Sequence, residues 1–243
     1  MLGYLGTKAE SGLIESAAAS IMRARRIKRI INMSQLPPVT RALLIANVLV
    51  FLIQMPGGDT MLAHFALWPL GPHQLARLDN GGVITVGFEP WQLLTYAFMH
   101  GGFPHIAFNM FALWMFGGPV ENALGPRRYT LYYFVCVLGA AIAQLLTIQL
   151  FSPEDFYPTL GASGGVFGLL LAFAVLYPQA RVIFFFVPVP VPARIAVIGY
   201  MILELVLGVT GTQAGVAHFA HLGGALVGFL LILYWRAQAS RRR

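Results

Sequence analysis

The stretch Gly161–Gly168, which reads GASGGVFG, places a serine among small residues at the start of a long apolar segment. A second apolar segment carries His221 within the string AHLGG. A serine hydroxyl becomes a nucleophile when a base such as histidine accepts its proton. Glycines on both segments allow two helix backbones to approach closely enough for that contact. The two strings therefore predict a nucleophile and its base on neighbouring helices.

The composition indicates a protein that crosses a membrane several times. Of its 243 residues, 58% are hydrophobic and only 10% are charged, whereas soluble domains carry about 25% charged residues. The mean hydropathy is +0.72. The single cysteine, Cys136, lies in an apolar segment, so a disulfide within one chain is excluded and a packed core residue is expected.

We predict an all-α fold, a bundle of six transmembrane helices. A spanning helix needs about 20 apolar residues, and several of the apolar segments are shorter than this. Between the first two lies Met61–Leu70, which is apolar but too short to span and is expected to be an interfacial or half-inserted element. The six predicted spans are Arg41–Met55, Pro104–Gly118, Tyr129–Leu150, Ser163–Tyr177, Arg194–Val209 and Val216–Trp235.

The net charge of +7 is explained by where the basic residues lie, and it does not require a nucleic-acid partner. Basic residues precede the first span and follow the second, fourth and sixth spans. By the positive-inside rule, both termini are predicted to be cytoplasmic. The predicted organisation is a basic tail over 1–39, a membrane domain over 40–236 and a second basic tail over 237–243.

The basic cluster Arg23–Arg29 leaves several interpretations open. It could form a helix on an anionic leaflet. It could equally belong to a disordered tail, or to an upstream extension of a protein that starts at Met33. A cleaved signal peptide is not expected, because the cluster lies far from the N-terminus and no proper cleavage site follows it.

Ser163 is predicted to lie at the start of a helix. Unpaired N–H groups and the positive end of the helix dipole lie there, and they would stabilise an oxyanion formed when Ser163 attacks a carbonyl. The alternative is a serine that caps the helix between packing glycines.

His221, Gly224 and Gly228 are spaced to share one helix face, so the glycine stripe would direct His221 towards the same neighbouring helix. His218 lies on that face too. A His-x-x-His pair can bind a metal, but neither a cysteine nor a nearby carboxylate is expected to complete a set here. A satisfied core histidine is the other alternative, although ionisable groups within membrane spans are usually functional.

Two further polar residues are predicted to share a helix face, because His105 and Asn109 are four residues apart. Both can donate hydrogen bonds to a developing oxyanion; the alternative is a helix–helix hydrogen bond worth about 1 kcal/mol. No acidic residue is predicted as a third catalytic member. Glu121 lies near the cytoplasmic side. Glu204 lies in the fifth span, protonated or paired, without another polar residue evident on its helix.

At this point the sequence resembles the rhomboid family of intramembrane serine proteases, over roughly Thr40–Trp235. Four motifs match in order: Trp91, His105-x-x-x-Asn109, Gly161-x-Ser163-Gly164 and His221-x-x-Gly224-x-x-x-Gly228. The family often has Trp-Arg in its first loop where this chain has Trp91-Gln92, which puts an arginine-dependent loop anchor in doubt. The role of His218 is left open.

The resemblance implies a six-helix core with a Ser–His dyad in which Ser163 is the nucleophile and His221 the base and then the acid. It implies an oxyanion hole made by His105, Asn109 and the backbone N–H of Ser163. Phe167 would pack on the catalytic histidine, and Arg194–Val209 would form the gate through which substrate enters from lipid.

The expected function is an intramembrane serine endopeptidase that cleaves transmembrane proteins near the outer end of their spans through an acyl-enzyme. Its partners are those substrates and the lipid bilayer, no metal or organic cofactor is implied, and a bacterial inner membrane is the expected location. The alternatives are a catalytically inactive relative that binds membrane clients, and a transporter, which would require an inverted repeat that the sequence lacks. Natural substrate, pathway and oligomeric state are not predicted.

Overall fold

A computed structural model describes residues 36–77, 83–184, 187–211 and 217–241. The chain divides into two units, Met1–Leu36 and Pro37–Arg243, and the second contains every element described below. The predictions for the basic cluster Arg23–Arg29 fall outside the described residues.

The second unit is built mainly of helices, with two short β-hairpins. In chain order the elements are α1 Pro38–Phe65, β1 His73–Arg77, β2 Val83–Val86, α2 Gln92–Thr95, a 3₁₀ turn Tyr96–Phe98, α3 Phe103–Leu124, α4 Pro126–Phe151, α5 Ser163–Leu176, β3 Arg181–Phe184, β4 Val187–Pro192, α6 Ala193–Thr210 and α7 His218–Arg241.

Each predicted span falls largely within one of the long helices. Among the described residues, four helices are long and apolar enough to cross a membrane: α1, α4, α6 and α7. The apolar helix α5 has only 14 residues, and the 22-residue α3 lies between α1 and α4. Four spanning helices are thus identified by length and composition, and the count of six stays a prediction.

Helix α1 is longer than predicted, because it bends and then continues. Gly58 adopts φ 26° and ψ −114°, which are not helical values, and the chain resumes its helical path to Phe65. Glycine tolerates a positive φ because it has no Cβ. The short helical segment after this kink contains the first half of the predicted element Met61–Leu70, and Leu67 then pairs with Thr159 as an isolated bridge. Its interfacial or half-inserted position stays a prediction.

The two hairpins are a second difference from the predicted all-α fold. Strand β1 pairs with β2, and β3 pairs with β4, both antiparallel. Strands β2, β3 and β4 are rich in β-branched residues, which favour extended backbone. β4 contains alternating prolines, which a two-stranded sheet tolerates because each strand has an edge that needs no N–H donor.

The centre of the bundle is the packing of α7 against α4 and α5. Small residues allow this close approach: a Cβ added to Gly224 of α7 would collide with the carbonyl oxygen of Gly164 on α5, and one added to Gly139 of α4 would lie 2.6 Å from Val227. Within a bilayer the hydrophobic effect does not drive helices together, so close backbone approach and van der Waals contact must stabilise their packing. This packing places the start of α5 beside the start of α7.

Candidate active site

Ser163 is the first residue of α5, and the chain reaches it through an unusual backbone conformation. Gly161 has φ +123°, and a Cβ at this position would lie 2.8 Å from the imidazole of His105. Glycine is therefore required at 161 both for its backbone angle and for its lack of a side chain. The turn brings Ser163 and His105 to the same side of the bundle.

His221 lies in the first turn of α7, and its Nε2 is 2.9 Å from the Oγ of Ser163. When the serine hydroxyl donates this hydrogen bond, Nε2 is the acceptor, so the neutral ring carries its proton on Nδ1. The ring of Phe167 stacks on the imidazole, with centroids 4.2 Å apart and planes at 8°. Ser163 and His221 thus meet in the geometry of a nucleophile and its base.

The glycine stripe on α7 faces two helices instead of one. Gly224 meets α5 at Gly164, as the shared face predicts, but a Cβ at Gly228 would meet the hydroxyl of Tyr132 and the thiol of Cys136 on α4. The prediction that the whole stripe faces the neighbour of His221 is therefore only half right. Helix α7 lies in the groove between α4 and α5, so residues one turn apart on one face contact different helices.

A carboxylate lies directly behind His221, where the sequence analysis expected none. Glu204 Oε2 of α6 is 2.9 Å from the Nδ1 of His221 and 2.7 Å from the Nδ1 of His218. Glu204 and His218 are each only 4% exposed. The expectation that no acidic residue is well placed as a third member is wrong, because the polar partners of Glu204 are on another helix.

The same contacts bear on the possibility of a metal site. The ligand atoms of Glu204, His218 and His221 lie within 4.8 Å of one another and could hold a metal ion. The expectation that no carboxylate completes the His-x-x-His pair is therefore wrong. Distances of 2.7 and 2.9 Å are, however, those of N–H···O hydrogen bonds. Two imidazoles that both donate through Nδ1 satisfy the carboxylate oxygen without an ion.

His105 and Asn109 of α3 face the same space as Ser163. The backbone N–H of Gly101 donates to His105 Nδ1 at 3.3 Å. Since Nδ1 accepts that bond, the neutral ring carries its proton on Nε2, the atom that lies against Gly161. Asn109 uses one of its amide hydrogens to donate to the backbone oxygen of His105 at 3.0 Å. Both side chains are therefore hydrogen-bond donors at this site.

A cavity of about 560 Å³ opens in front of these groups. Its walls come from α3, α5, α6, the start of α7 and the segment before α5. The lining residues are Gly101, His105, Phe108, Asn109, Ala112, Tyr157, Pro158, Thr159, Leu160, Ser163, Val166, Phe167, Leu170, Tyr200, Ala217 and His221. A few polar side chains line a mostly apolar space, as is typical of ligand sites.

Gln92 anchors the loop that precedes the site, a role that sequence reasoning left in doubt. Its side chain is fully buried. Its Oε1 accepts hydrogen bonds from the backbone N–H groups of Trp68 and Glu89, each at 3.2 Å, and its Nε2 donates to the carbonyl of Gly87 at 3.2 Å. Trp91 donates through its indole to the carbonyl of His64 at 2.9 Å. A neutral amide thus holds the loop without an arginine.

His100 is a further buried group near the site that sequence reasoning did not assign. It lies in the loop before α3, where the side-chain amide of Gln54 donates to its carbonyl at 2.7 Å and accepts from its N–H at 3.0 Å. Its ring lies 5.2 Å from that of His105, measured between centroids. Burial, with a smaller effect of His105, lowers the pKa of His100 from 6.5 to about 4. The ring is therefore neutral at physiological pH.

Comparison with known proteins assigns the chain to a family. Residues 87–238 match the Rhomboid domain, which is more than half of the chain. The protein belongs to the rhomboid family, and it is an integral membrane protein.

Three relatives illustrate the likeness. The chain is 32% identical over 154 residues to Rhomboid protein 1, mitochondrial, of Saccharomyces cerevisiae, covering 60% of this chain and 42% of that protein. It is 31% identical over 182 residues to Rhomboid protease GluP of Bacillus subtilis, covering 74% of this chain and 31% of that protein. It is 29% identical over 242 residues to RHOMBOID-like protein 4 of Arabidopsis thaliana, covering 91% and 58%. The chain therefore matches less than two thirds of the length of each of these relatives.

Proposed function

We propose that this protein is an intramembrane serine endopeptidase that uses Ser163 as nucleophile and His221 as general base and acid. The observation that carries the proposal is the 2.9 Å contact between Ser163 Oγ and His221 Nε2 at the end of the cavity. Family membership and the name of the Bacillus subtilis relative, a rhomboid protease, favour the same chemistry.

The reaction proceeds in two halves. Ser163 Oγ attacks the carbonyl carbon of the scissile peptide bond while His221 Nε2 takes the hydroxyl proton. The tetrahedral intermediate collapses, the C–N bond breaks, and His221 gives its proton to the leaving amine, which leaves an acyl-enzyme. Water then attacks the ester carbonyl, His221 accepts a proton from the water and returns it to Ser163, and the new carboxyl end departs.

The negative charge that develops on the carbonyl oxygen is stabilised by three donors. These are the Nε2–H of His105, the amide N–H of Asn109 and the backbone N–H of Ser163. The backbone N–H belongs to the first turn of α5, so it has no carbonyl partner within the helix and lies at the positive end of the helix dipole. Donors fixed in place before the reaction need no reorganisation in the transition state.

The substrates are transmembrane segments of other proteins, cut near the outer end of the span. The predictions of six spans and cytoplasmic termini together imply that the cavity opens towards the outer side of the membrane. Helix α6 forms one wall of the cavity through Tyr200, while Ile195, Ile198 and Ile202 on the same helix are 55 to 60% exposed, as expected of a surface that faces lipid. This supports α6 as the gate. The bacterial inner membrane stays a prediction.

The test is cleavage of a single-span reporter by purified protein in liposomes, together with labelling by a fluorophosphonate probe. The parent should cleave and label, whereas Ser163→Ala and His221→Ala, shown to be folded, should do neither. A folded parent that neither cleaves nor labels would overturn the protease proposal in favour of a protein that binds membrane clients.

A further inference from the structure

We propose that Glu204 is the third member of the catalytic constellation, a positioning residue that acts on the reaction through His221. This inference rests on the proposed function. It makes a triad of Ser163, His221 and Glu204, with each residue on a different helix: α5, α7 and α6.

The tautomer of His221 that the reaction requires supports this role. A base must present an unprotonated Nε2 to the serine hydroxyl, so its proton has to be on Nδ1. Glu204 Oε2 lies 2.9 Å from Nδ1 and, as a carboxylate oxygen, can only accept. The carboxylate therefore selects the productive tautomer of His221 and restricts rotation of the imidazole within its own plane. The stacked Phe167 prevents the imidazole from tilting out of that plane.

The charge of Glu204 supports the same role. When His221 takes the proton of Ser163, the imidazolium is formed at hydrogen-bond distance from a buried carboxylate, where the attraction between opposite charges is much stronger than in water. The neutral ring gains no such attraction. Glu204 thus stabilises the intermediate more than the ground state, and only such differential stabilisation accelerates the reaction.

His218, whose role the sequence left open, also supports a positioning role for Glu204. Its Nδ1 is 2.7 Å from the same carboxylate oxygen. Its buried Nε2 has no hydrogen-bond partner within the part of the chain that the structure describes. A neutral ring with its proton on Nδ1 fits both facts, since a bare lone pair costs less to bury than a charged N–H. His218 is then a second fixed donor that keeps Glu204 in place.

Glu204 acts only through His221, because the described lining of the cavity includes Tyr200 of α6 but not Glu204. Substrate binding should therefore not depend on the carboxylate. We therefore expect a substitution of Glu204 to lower kcat at nearly constant KM, whereas a residue that binds substrate would change KM.

The experiment compares Glu204→Gln with Glu121→Gln. In both variants an amide of the same shape replaces a buried carboxylate that joins two helices. The described hydrogen-bond partners of Glu121 lie at the start of α1 and do not include Ser163 or His221. The readouts are the rate of fluorophosphonate labelling and the kcat and KM of reporter cleavage. The labelling rate and kcat are expressed per folded molecule, and thermal unfolding measures the folded fraction.

We expect Glu204→Gln to lower the labelling rate and kcat by about 10² to 10⁴-fold, the range that general-base catalysis supplies. The amide oxygen can still accept from both Nδ1–H groups, because a single carboxylate oxygen serves both rings in the parent. The expected loss comes from removing the negative charge that stabilises the imidazolium. Glu121→Gln should label at the parent's rate per folded molecule.

Equal labelling rates for folded Glu204→Gln and the parent would overturn the inference and leave the proposed function intact, because the parent would still cleave. A parent that neither labels nor cleaves would overturn both. If Glu204→Gln does not fold, Glu204→Asp replaces it: Asp keeps the charge but is one methylene too short to reach both rings. A folded Glu204→Asp that reacts as fast as the parent would also overturn the inference.

Discussion

Two buried carboxylates hold this helix bundle together, and they differ in what donates to them. Glu121 of α3 accepts from the backbone N–H groups of Val39 and Thr40, at 3.0 and 2.7 Å, and from the Thr40 hydroxyl at 2.8 Å. Glu204 of α6 accepts from two imidazoles. Glu121 is 2% exposed and Glu204 is 4% exposed, so burial alone does not distinguish the two.

The difference lies in the donors. A backbone amide or a threonine hydroxyl does not exchange a proton near neutral pH, so the donors around Glu121 can only fix the start of α1 against α3. An imidazole gains and loses a proton in this range. The Glu204 cluster can therefore respond to a proton that moves at Ser163. The chemistry of the donors, and not the carboxylate, indicates which site is structural and which is functional.

The largest expected effect comes from removing the base. His221→Ala should reduce kcat by about 10⁶-fold, as in other serine proteases in which the triad acts as a unit. In that background Glu204→Gln should cause no further loss of rate, since the carboxylate acts only through the missing ring. The measurement is a double-mutant cycle on the rate of reporter cleavage. Additive losses would show that Glu204 acts by another route.

Asn109→Ala should have the next largest effect, because it removes an oxyanion donor from the same helix that carries Glu121. We expect kcat to fall by about 10² to 10³-fold with little change in stability. The matched control is Asn47→Ala on α1. Asn47 is also buried and donates to the carbonyl four residues earlier, at 2.8 Å, but lies outside the described cavity lining. Similar losses for both variants would contradict an oxyanion role for Asn109.

Glu121→Gln should act on stability instead of rate. The amide has one acceptor oxygen where the carboxylate had two, so one N–H of the α1 terminus loses its partner, and hydrogen bonds to a charge become neutral ones. We expect the free energy of unfolding to fall by about 1.5 to 3 kcal/mol, measured by thermal or denaturant unfolding in detergent. Unchanged stability together with slow labelling would reverse the contrast between the two carboxylates.

The smallest effect concerns His100, a buried titratable group that contacts no carboxylate among the described residues. Its pKa is lowered to about 4 in the folded protein, whereas an exposed histidine titrates near 6.5. Between these values the unfolded chain binds a proton that the folded chain does not, so stability falls as the pH decreases from about 6.5 to about 4. The slope of the unfolding free energy against pH in this range is proportional to the number of protons taken up on unfolding, and His100→Gln should reduce that number by up to one. As a control, the unfolding free energy of parent and variant should depend on pH in the same way between pH 7 and 9. A difference in that range, or the same pH dependence of both proteins below pH 6.5, would contradict a lowered pKa of His100.

Motifs within single segments predicted much of the candidate site. The spacing of His105 and Asn109 placed both on one face of α3, and the small residues around Ser163 placed it at the start of a helix, because both properties depend only on local backbone geometry. The stacking of Phe167 on His221 followed from the family resemblance. The departure at Gln92 could not be interpreted from the sequence, because its backbone partners on Trp68, Gly87 and Glu89 lie in a loop whose path the sequence does not define.

The sequence by itself determined that the protein is a helical membrane protein of the rhomboid family and which serine and histidine are its candidate reactive groups. Apolar run lengths and short motifs carry that information. Only the tertiary structure decided what Glu204 does. Its partners are 14 and 17 positions away on α7, across a connection that includes residues 212–216. Whether two such helices face each other through a carboxylate and two imidazoles depends on their rotation and depth in the bundle. These are set by the packing of α7 against α4 and α5, and not by any pattern within α6.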